Sequence, residues 1–158
     1  MDARGILPVE VRFYSDGDRQ EVENFHCAQR RWEKEAQGVI RRAPSLLVEE
    51  GVELLVATAD GEVVGVTVFL AIPGLCFIYS IGVLTSQWNR GVGTRLKKAV
   101  MVEAKERSPQ GCMFLSFVHK MNGRMNSINR NLNAETRISP DDGNYFFTYI
   151  SVKLEDEV

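Results

Sequence analysis

An apolar run at residues 75–84 precedes a glycine-containing turn and a long helical pattern, and this succession leaves few folds open. The pattern continues to Arg107, where Ser108-Pro109 disfavours further helix. One face of it carries mostly apolar residues at three- and four-residue spacing, namely Val92, Leu96, Ala99, Val100, Glu103 and Ala104. A second apolar run, residues 112–118, comes next. A helix that joins two strands in this way predicts a βαβ unit with the strands parallel.

The turn between strand and helix has the sequence Asn-Arg-Gly-Val-Gly-Thr, residues 89–94. The first N–H groups of a helix lack intrahelical partners and carry a partial positive charge of about half a unit. Gly91 and Gly93 have no Cβ atoms that would hold a diphosphate away from the backbone. Arg90 and Arg95 add fixed positive charge. We therefore predict a phosphate-binding site at the start of this helix.

The rest of the chain alternates between strand and helix patterns. Strands are predicted at residues 9–14, 54–58, 63–71, 134–138 and 145–154, and helices at 19–37, 41–50 and 122–131. Asp60-Gly61 makes a hairpin of the second and third strands, which are predicted to pair antiparallel with each other and with the fourth. The prediction is one α/β (α+β) domain over residues 1–158. It has about four helices and a mixed, mostly antiparallel sheet of six to seven strands, in which the fourth and fifth strands form a central parallel pair.

Composition and charge narrow the classes of function. The 158 residues carry a net charge of −2, which argues against a general attraction to nucleic acid or to anionic membranes. Cys27, Cys76 and Cys112 are far apart and form no CxxC pair, so we predict neither a disulfide framework nor a metal site. No apolar run approaches the ~20 residues of a membrane span, and the N-terminus has no apolar core of signal-peptide length. The expected location is the cytoplasm.

Other nucleotide-binding turns fit this sequence less well. The turn lacks the third glycine of a dinucleotide fingerprint and the Gly-Lys-Ser/Thr ending of a P-loop. It also follows an antiparallel meander instead of opening the chain. Taken alone, Arg-Gly-Val-Gly marks simple turns as well, so its position in the chain carries the argument.

The order of elements resembles the GNAT superfamily of acetyl-CoA-dependent N-acyltransferases over nearly the whole chain. In that family the fourth strand ends in an apolar-x-Val pattern, and a turn Q/R-x-x-G-x-G/A begins five residues after the Val. Ile81-Gly-Val83 matches the strand end, and Trp88 begins the turn in place of Gln or Arg. An Asn often opens the next helix four residues after the fifth strand, and Asn122 follows Val118 at that distance. The resemblance implies acetyl-CoA as cosubstrate, bound by Ile81, Val83, Trp88, Asn89, Arg90, Gly91, Val92, Gly93, Thr94 and Asn122.

The resemblance also implies transfer of an acetyl group to a primary amine of a small molecule or a protein, by direct attack on the thioester. A lysine-like amine is neutral only about once per thousand or few thousand molecules at pH 7, so a base or a water chain must take its proton. Tyr79 and His119 are candidates for that step. The family Tyr near the cofactor sulfur corresponds to Asn129, whose amide cannot donate a proton at neutral pH. Tyr79, His119 and Asn129 are the predicted catalytic residues, and a backbone N–H near Val83 is the predicted donor to the carbonyl oxygen.

Two alternatives stay open. Asn129 at the Tyr position, and Asn133-Ala134 where the family has Gly-Phe, are compatible with a non-catalytic relative that binds coenzyme A as a ligand or regulator. Basic residues in the first helices and after the fifth strand would suit aminoacyl-tRNA as the acceptor if they converge on the acceptor groove. Because the net charge of the chain is slightly negative, we rank this acceptor below a small amine or a protein amino group. A homodimer is also compatible with the sequence.

Overall fold

The computed structural model describes residues 8–31, 33–47, 52–119, 123–131, 135–138 and 145–152. Beyond Ser116, side chains are described only for residues 125–129. Within these ranges the helices are α1 (Arg19–Glu23), α2 (Glu33–Leu46), α3 (Val92–Arg107) and α4 (Gly123–Asn131). The strands are β1 (Glu10–Phe13), β2 (Glu53–Ala59), β3 (Glu62–Ile72), β4 (Leu75–Val83), β5 (Cys112–His119), β6 (Glu135–Ile138) and β7 (Tyr145–Val152).

The strands form one mixed sheet in the order β1-β2-β3-β4-β5-β7-β6. Among neighbouring strands of the described chain, only β4 and β5 run parallel. The predicted β2–β3 hairpin, the antiparallel meander into β4 and the parallel β4–β5 pair are therefore confirmed. We predicted six to seven strands; β1 to β5 carry described side chains, and β7 and β6 extend the sheet through backbone pairing.

Helices cover both faces of the sheet. On one face α3 buries Leu96 among the apolar residues of β2 to β5, and on the other face α2 buries Ile40 beside Val68. A Cβ at Gly65 of β3 would meet Leu96 Cδ1 at 2.8 Å and Val92 Cγ1 at 2.9 Å. Glycine at this position thus lets α3 approach the sheet closely.

The segment before β2 differs from our prediction. We predicted one helix over residues 19–37, but α1 ends at Glu23, α2 begins at Glu33 and residues 24–31 are irregular. Side chains replace the missing helical hydrogen bonds of this segment. The Oε1 atoms of Glu33 and Gln37 accept four of its backbone N–H groups, at 2.9 to 3.3 Å. Apolar periodicity carries no information about such side-chain hydrogen bonds, so it predicted one helix where the structure has two.

The predicted helix over residues 41–50 is also wrong in its bounds, because α2 continues through Pro44 and ends at Leu46. Proline removes one backbone donor and usually ends a helix. Pro44 lies in the last turn and is buried together with Ala43 and Ile40. Burial of this apolar face offsets the single hydrogen bond that is lost.

Three further observations concern membrane, disulfide and metal chemistry. None of the described helices is long and apolar enough to cross a membrane. Cys27, Cys76 and Cys112 are buried free thiols. Among the described residues, no cluster of histidine, cysteine or acidic side chains could hold a metal ion.

Candidate functional site

The parallel strands β4 and β5 separate partway along their length. Their backbone pairing in the described chain ends at Ile78 and Ser116, yet β4 continues to Val83. Beyond Ser116, β5 continues to His119 while it pairs with β7. One edge of β4 therefore has no strand partner among the described residues over its last five positions. A bound ligand can lie against this edge and use backbone groups that no strand pairs.

A cleft of about 380 Å³ opens at this point. Its walls come from four places in the chain: the end of β4, the turn into α3, one face of α4 and the segment that leads into α2. The lining residues are Cys27, Glu33, Ala36, Ile81, Gly82, Val83, Gln87, Trp88, Asn89, Gly91, Val92, Gly93, Thr94, Met125, Ser127 and Ile128. A space of this size is typical of sites for small molecules and cofactors.

The turn into α3 offers backbone donors to the cleft. Gly91 caps the helix with φ +81°, a left-handed conformation that L side chains rarely adopt. The first intrahelical bond joins the N–H of Arg95 to the carbonyl oxygen of Gly91 at 3.1 Å. The N–H groups of residues 92–94 precede that bond, so the helix itself gives them no acceptor. These groups, with the exposed side chains of Arg90 and Arg95 beside them, could hold an anion at the start of the helix.

Gly93 lies where three walls of the cleft meet. A Cβ at this position would be 3.3 Å from Ile128 Cδ1 of α4 and 3.8 Å from Val83 Cγ2 of β4. The backbone of Gly93 needs no left-handed conformation, since a positive φ is recorded for Gly91 but not for Gly93. Its lack of a side chain therefore matters for space inside the cleft.

The side of the cleft formed by Cys27, Glu33 and Ala36 carries a carboxylate. Glu33 is 7% exposed, and its Oε1 accepts the N–H groups of Gln29 at 3.3 Å and Arg30 at 2.9 Å. This carboxylate therefore orders the irregular segment and also brings negative charge to the wall of the cleft. Cys27 also lines this side and lies against Gly82, where an added Cβ would be 2.9 Å from the thiol sulfur. Burial raises the pKa of the Cys27 thiol to about 11, so the thiol is protonated at neutral pH.

A buried polar pair joins α3 to α4 behind the cleft. The Nζ of Lys97 donates a hydrogen bond to Oδ1 of Asn129, and the two residues are 3% and 1% exposed. Burial lowers the pKa of the Lys97 ammonium to about 8. The Nδ2 of Asn129 is buried and has no acceptor among the described residues.

The predicted cofactor residues come together, whereas Tyr79 and Asn129, two of the three predicted catalytic residues, do not line the cleft. All the predicted cofactor residues line the cleft except Arg90, which is exposed beside it, and Asn122, which lies outside the described residues. Tyr79 does not line the cleft; it is 46% exposed and its ring meets that of Phe77 edge-on at 4.8 Å. For His119 only the backbone is described, paired with β7.

Sequence reasoning missed the lining residues of α4, and Lys97. Met125 and Ile128 are three residues apart on α4, and this apolar pair in a polar helix was a readable sign of a buried face. No comparable sign marked Lys97, because a lysine in a charged helix is normally exposed. Cys27 and Glu33 were missed because their segment was predicted to be helical.

Comparisons with known proteins agree on the fold. The sequence model of the acetyltransferase (GNAT) family matches residues 19–129. A PaiA N-acetyltransferase from Thermoplasma acidophilum, in complex with coenzyme A, superposes with a TM-score of 0.70 at 15% identity, covering 90% of this chain and 98% of that one. A GNAT-family acetyltransferase from Staphylococcus aureus Mu50 gives a TM-score of 0.72 at 14% identity, covering 92% and 100%.

The ribosomal-protein-S18-alanine N-acetyltransferase from Escherichia coli has a TM-score of 0.66 at 12% identity, covering 96% of this chain and 97% of that one. No curated protein matches the sequence. At identities this low, the superpositions show a shared fold alone. Membership of the family is shown by the match of the family's sequence model over most of the chain. The chain belongs to the GNAT family of acetyltransferases.

Proposed function

We propose that the chain is an acetyl-CoA-dependent N-acetyltransferase that acetylates a primary amine of a small molecule or a protein. The observation that carries the proposal is the cleft, which is lined both by the turn at the start of α3 and by the end of β4 that β5 does not pair. Bound acetyl-CoA would supply a thioester whose acetyl group is transferred and whose thiol leaves. This cosubstrate is the acyl donor of the family to which the chain belongs.

The described residues fit such a cosubstrate. The N–H groups of residues 92–94 would hold the diphosphate, with Arg90 and Arg95 adding charge at the mouth. Because Gly93 has no side chain, the space between α4 and β4 stays open where the chain of the cosubstrate would pass. A β4 backbone N–H near Val83 would donate to the thioester carbonyl oxygen, where negative charge develops during the transfer.

Transfer by direct attack is consistent with the side chains of the cleft. Cys27 is the thiol among the described lining residues, and its raised pKa keeps it a weak nucleophile at neutral pH. The Glu33 carboxylate supports an amine as the acceptor, because it offers negative charge on the wall opposite the cofactor turn. Tyr79 and His119 remain our predicted groups for removing the proton of the amine.

A non-catalytic coenzyme A-binding protein is the second candidate, and Asn129 is the observation that favours it. A buried amide cannot protonate a leaving thiolate, so the usual acid of the family is replaced by a group without acid chemistry. The two candidates differ in turnover, not in binding.

Arg41, one of the basic residues of the first helices, gives no support to nucleic acid as the acceptor, because its Nε donates to the carbonyl oxygen of Phe25 at 2.8 Å. We also propose a cytoplasmic location, because Cys27, Cys76 and Cys112 are free thiols and such thiols persist in a reducing compartment.

The proposal is tested first by thermal stabilisation with acetyl-CoA, compared with ATP and NAD. A ligand at ~100 times its dissociation constant adds about 2.7 kcal/mol to the free energy of unfolding. We expect a shift with acetyl-CoA alone, together with release of free thiol that depends on an added amine. No shift would refute cofactor binding, and a shift without amine-dependent release would favour the non-catalytic candidate.

Gly93→Val tests the position of the site. The valine side chain would fill the space between α4 and β4, so we expect the shift with acetyl-CoA to disappear while the protein stays folded. Gly38→Val in α2 is the matched control, because the added Cβ there meets only the flexible end of Arg42 at 3.3 Å. Retained affinity in Gly93→Val would refute the placement of the cofactor.

A further inference from the structure

Three side chains of α2 hold the irregular segment that precedes this helix. Glu33, Gln37 and Arg41 are four residues apart, so they follow one face of α2. Each bonds to the backbone of the segment, and the partners run in the reverse order: Gln29 and Arg30 for the first, Cys27 and Ala28 for the second, and Phe25 for the third. Residues 25–30 are therefore attached to α2 at both ends and in the middle.

Gln37 makes the central attachment. Its Oε1 accepts the N–H groups of Cys27 at 3.0 Å and of Ala28 at 3.2 Å. These two residues are 8% and 5% exposed, so little water can reach N–H groups that lose this acceptor. Gln37 does not line the cleft, whereas Cys27 does. The glutamine therefore acts on the cleft through the backbone that it holds.

The helix α2 is in turn fixed to β4. The Oγ of Ser80 donates a hydrogen bond to the carbonyl oxygen of Ala36 at 3.1 Å. The side chain of Ile40 approaches Gly82 so closely that no Cβ would fit there. Ala36 and Gly82 both line the cleft. The wall of the cleft that α2 and its attached segment form is thus held at a set position relative to the unpaired end of β4.

This arrangement replaces a simpler one. The apolar spacing of residues 19–37 is compatible with a single helix, in which the backbone N–H groups would bond within the helix. The structure instead interrupts the helix, and side chains of α2 accept four of the N–H groups. Cys27 and Glu33 then line the same wall of the cleft. All these bonds are internal to the chain, so the wall can form before any ligand binds.

We infer that Gln37 and Arg41 are positioning residues for the acceptor amine, because they hold residues 25–30 on α2 and so fix the wall that the amine meets. This inference rests on the proposed function, in which the Glu33 carboxylate faces the amine from that wall. A wall that is ordered in advance needs no further ordering when the acceptor binds, so it raises the affinity for the amine. Neither Gln37 nor Arg41 lines the cleft, so their effect on the reaction is through geometry alone.

Gln37→Leu tests the inference through the KM of the amine. Leucine is similar in size but has no acceptor, so the N–H groups of Cys27 and Ala28 lose their partner. The acceptors are ethanolamine, spermidine and a peptide with a free N-terminal amine, each assayed with acetyl-CoA. For those that are acetylated, we expect the KM of the amine to rise about tenfold, while kcat and the Kd of acetyl-CoA stay within about twofold. A general loss of stability would not change the KM of one substrate alone.

Three further variants separate positioning from other effects. Gln37→Glu should restore the KM of the amine, because a carboxylate accepts the same two N–H groups. Arg41→Met removes the bond to the carbonyl oxygen of Phe25 and should raise the KM of the amine in the same direction, which keeps the test available if Gln37→Leu does not fold. Gln20→Leu is the matched control, because Gln20 is an exposed glutamine of α1.

Amide hydrogen exchange tests the preformed wall without relying on turnover. In the unaltered protein, before acetyl-CoA or an amine is added, we expect the N–H groups of Cys27 and Ala28 to exchange slowly. In Gln37→Leu they should exchange about tenfold faster. Exchange at the rate of an unfolded peptide in the unaltered protein would overturn the inference.

The kinetic outcomes distinguish this inference from the proposed function. An unchanged KM of the amine in both Gln37→Leu and Arg41→Met, with acetyl-CoA still bound, would overturn the inference and leave the proposed function intact. Acetylation of none of the three amines, or absence of acetyl-CoA binding to the unaltered protein, would instead count against the proposed function and remove the basis of the inference.

Discussion

The indole Nε1 of Trp88 donates a 2.8 Å hydrogen bond to the carbonyl oxygen of Val83, so the first residue of the turn into α3 is tied to the last residue of β4. Members of the family usually have Gln or Arg at this position. Here the side chain fixes the loop between strand and helix instead of being free to reach a ligand. The indole also lines the cleft, so the same residue closes the turn and forms part of the wall.

Trp88→Phe tests that bond, because phenylalanine keeps an aromatic ring and loses the donor. We expect the free energy of unfolding to fall by about 1 kcal/mol, the usual net value of one hydrogen bond. We also expect weaker coenzyme A binding, because the turn is no longer held in place before the ligand arrives. Urea denaturation and titration with coenzyme A measure the two effects.

Tyr79→Phe is the control for Trp88→Phe, since it removes one polar atom from an aromatic residue of β4 that does not line the cleft. It should leave stability and coenzyme A affinity close to those of the unaltered protein. A loss of turnover alone would support Tyr79 as the proton acceptor. Equal losses of coenzyme A affinity in both variants would contradict the role assigned to the Trp88 bond.

Gly91→Ala is expected to impair the anion site through the backbone. A non-glycine residue at φ +81° costs about 1–2 kcal/mol, and relief of that strain would move the N–H groups that follow. Gly61→Ala introduces the same strain at φ +79° in the β2–β3 hairpin, and neither position has an atom within 4 Å of the added Cβ. Both variants should lose similar stability in urea denaturation, whereas only Gly91→Ala should lose coenzyme A affinity. A normal affinity in Gly91→Ala would contradict the assignment of the turn.

The parts of the fold that could be predicted are those in which local pattern and tertiary role coincide. Three local patterns are each compatible with a single type of structure: the apolar run of β4, the two glycines and the amphipathic face of α3. Their order along the chain predicts a parallel neighbour for β4. The residues that line the cofactor side of the cleft follow from the spacing between Val83 and Gly91, because both belong to one continuous segment of 75–107.

The opposite wall could not be predicted in this way. Residues 24–31 keep an apolar spacing compatible with a helix, but hydrogen bonds from their backbone N–H groups to the side chains of Glu33 and Gln37 hold them in an irregular path. The partnership of Lys97 with Asn129 depends on how α4 packs on α3, which no local pattern encodes. Both misses concern polar side chains whose partners lie across a bend or on another helix.

Cys27→Ala tests direct attack. The Cys27 thiol has a pKa raised by burial to about 11, so it should take no part in the reaction, and turnover should stay within about twofold. Cys112→Ala is the matched control, because it removes another buried thiol, which does not line the cleft. Amine-dependent thiol release measures both variants. A loss of turnover confined to Cys27→Ala, together with an acetyl adduct on the intact protein in mass spectrometry, would establish a covalent route instead.

The pair of Arg12 and Asp18 predicts how stability depends on pH. The guanidinium of Arg12 donates to both carboxylate oxygens of Asp18, at 2.7 and 2.8 Å, and the N–H of Ser15 donates to one of them at 2.9 Å. These bonds, with the Arg12 side chain contributing most, lower the pKa of the Asp18 carboxyl to about 2. They connect β1 to the turn that precedes α1.

A carboxyl group whose pKa is lower in the folded protein than the value of about 3.9 in the unfolded chain stabilises the fold above that value. The contribution is lost as the pH falls from about 4 through about 2. Since the Arg12 side chain is 41% exposed, solvent screening limits the expected contribution to about 1–2 kcal/mol. Urea denaturation of the unaltered protein and Asp18→Asn should therefore give a constant difference in unfolding free energy between pH 7 and pH 5, and a smaller one at pH 3. A difference that stays constant down to pH 3 would show that the Asp18 charge does not contribute through this pair.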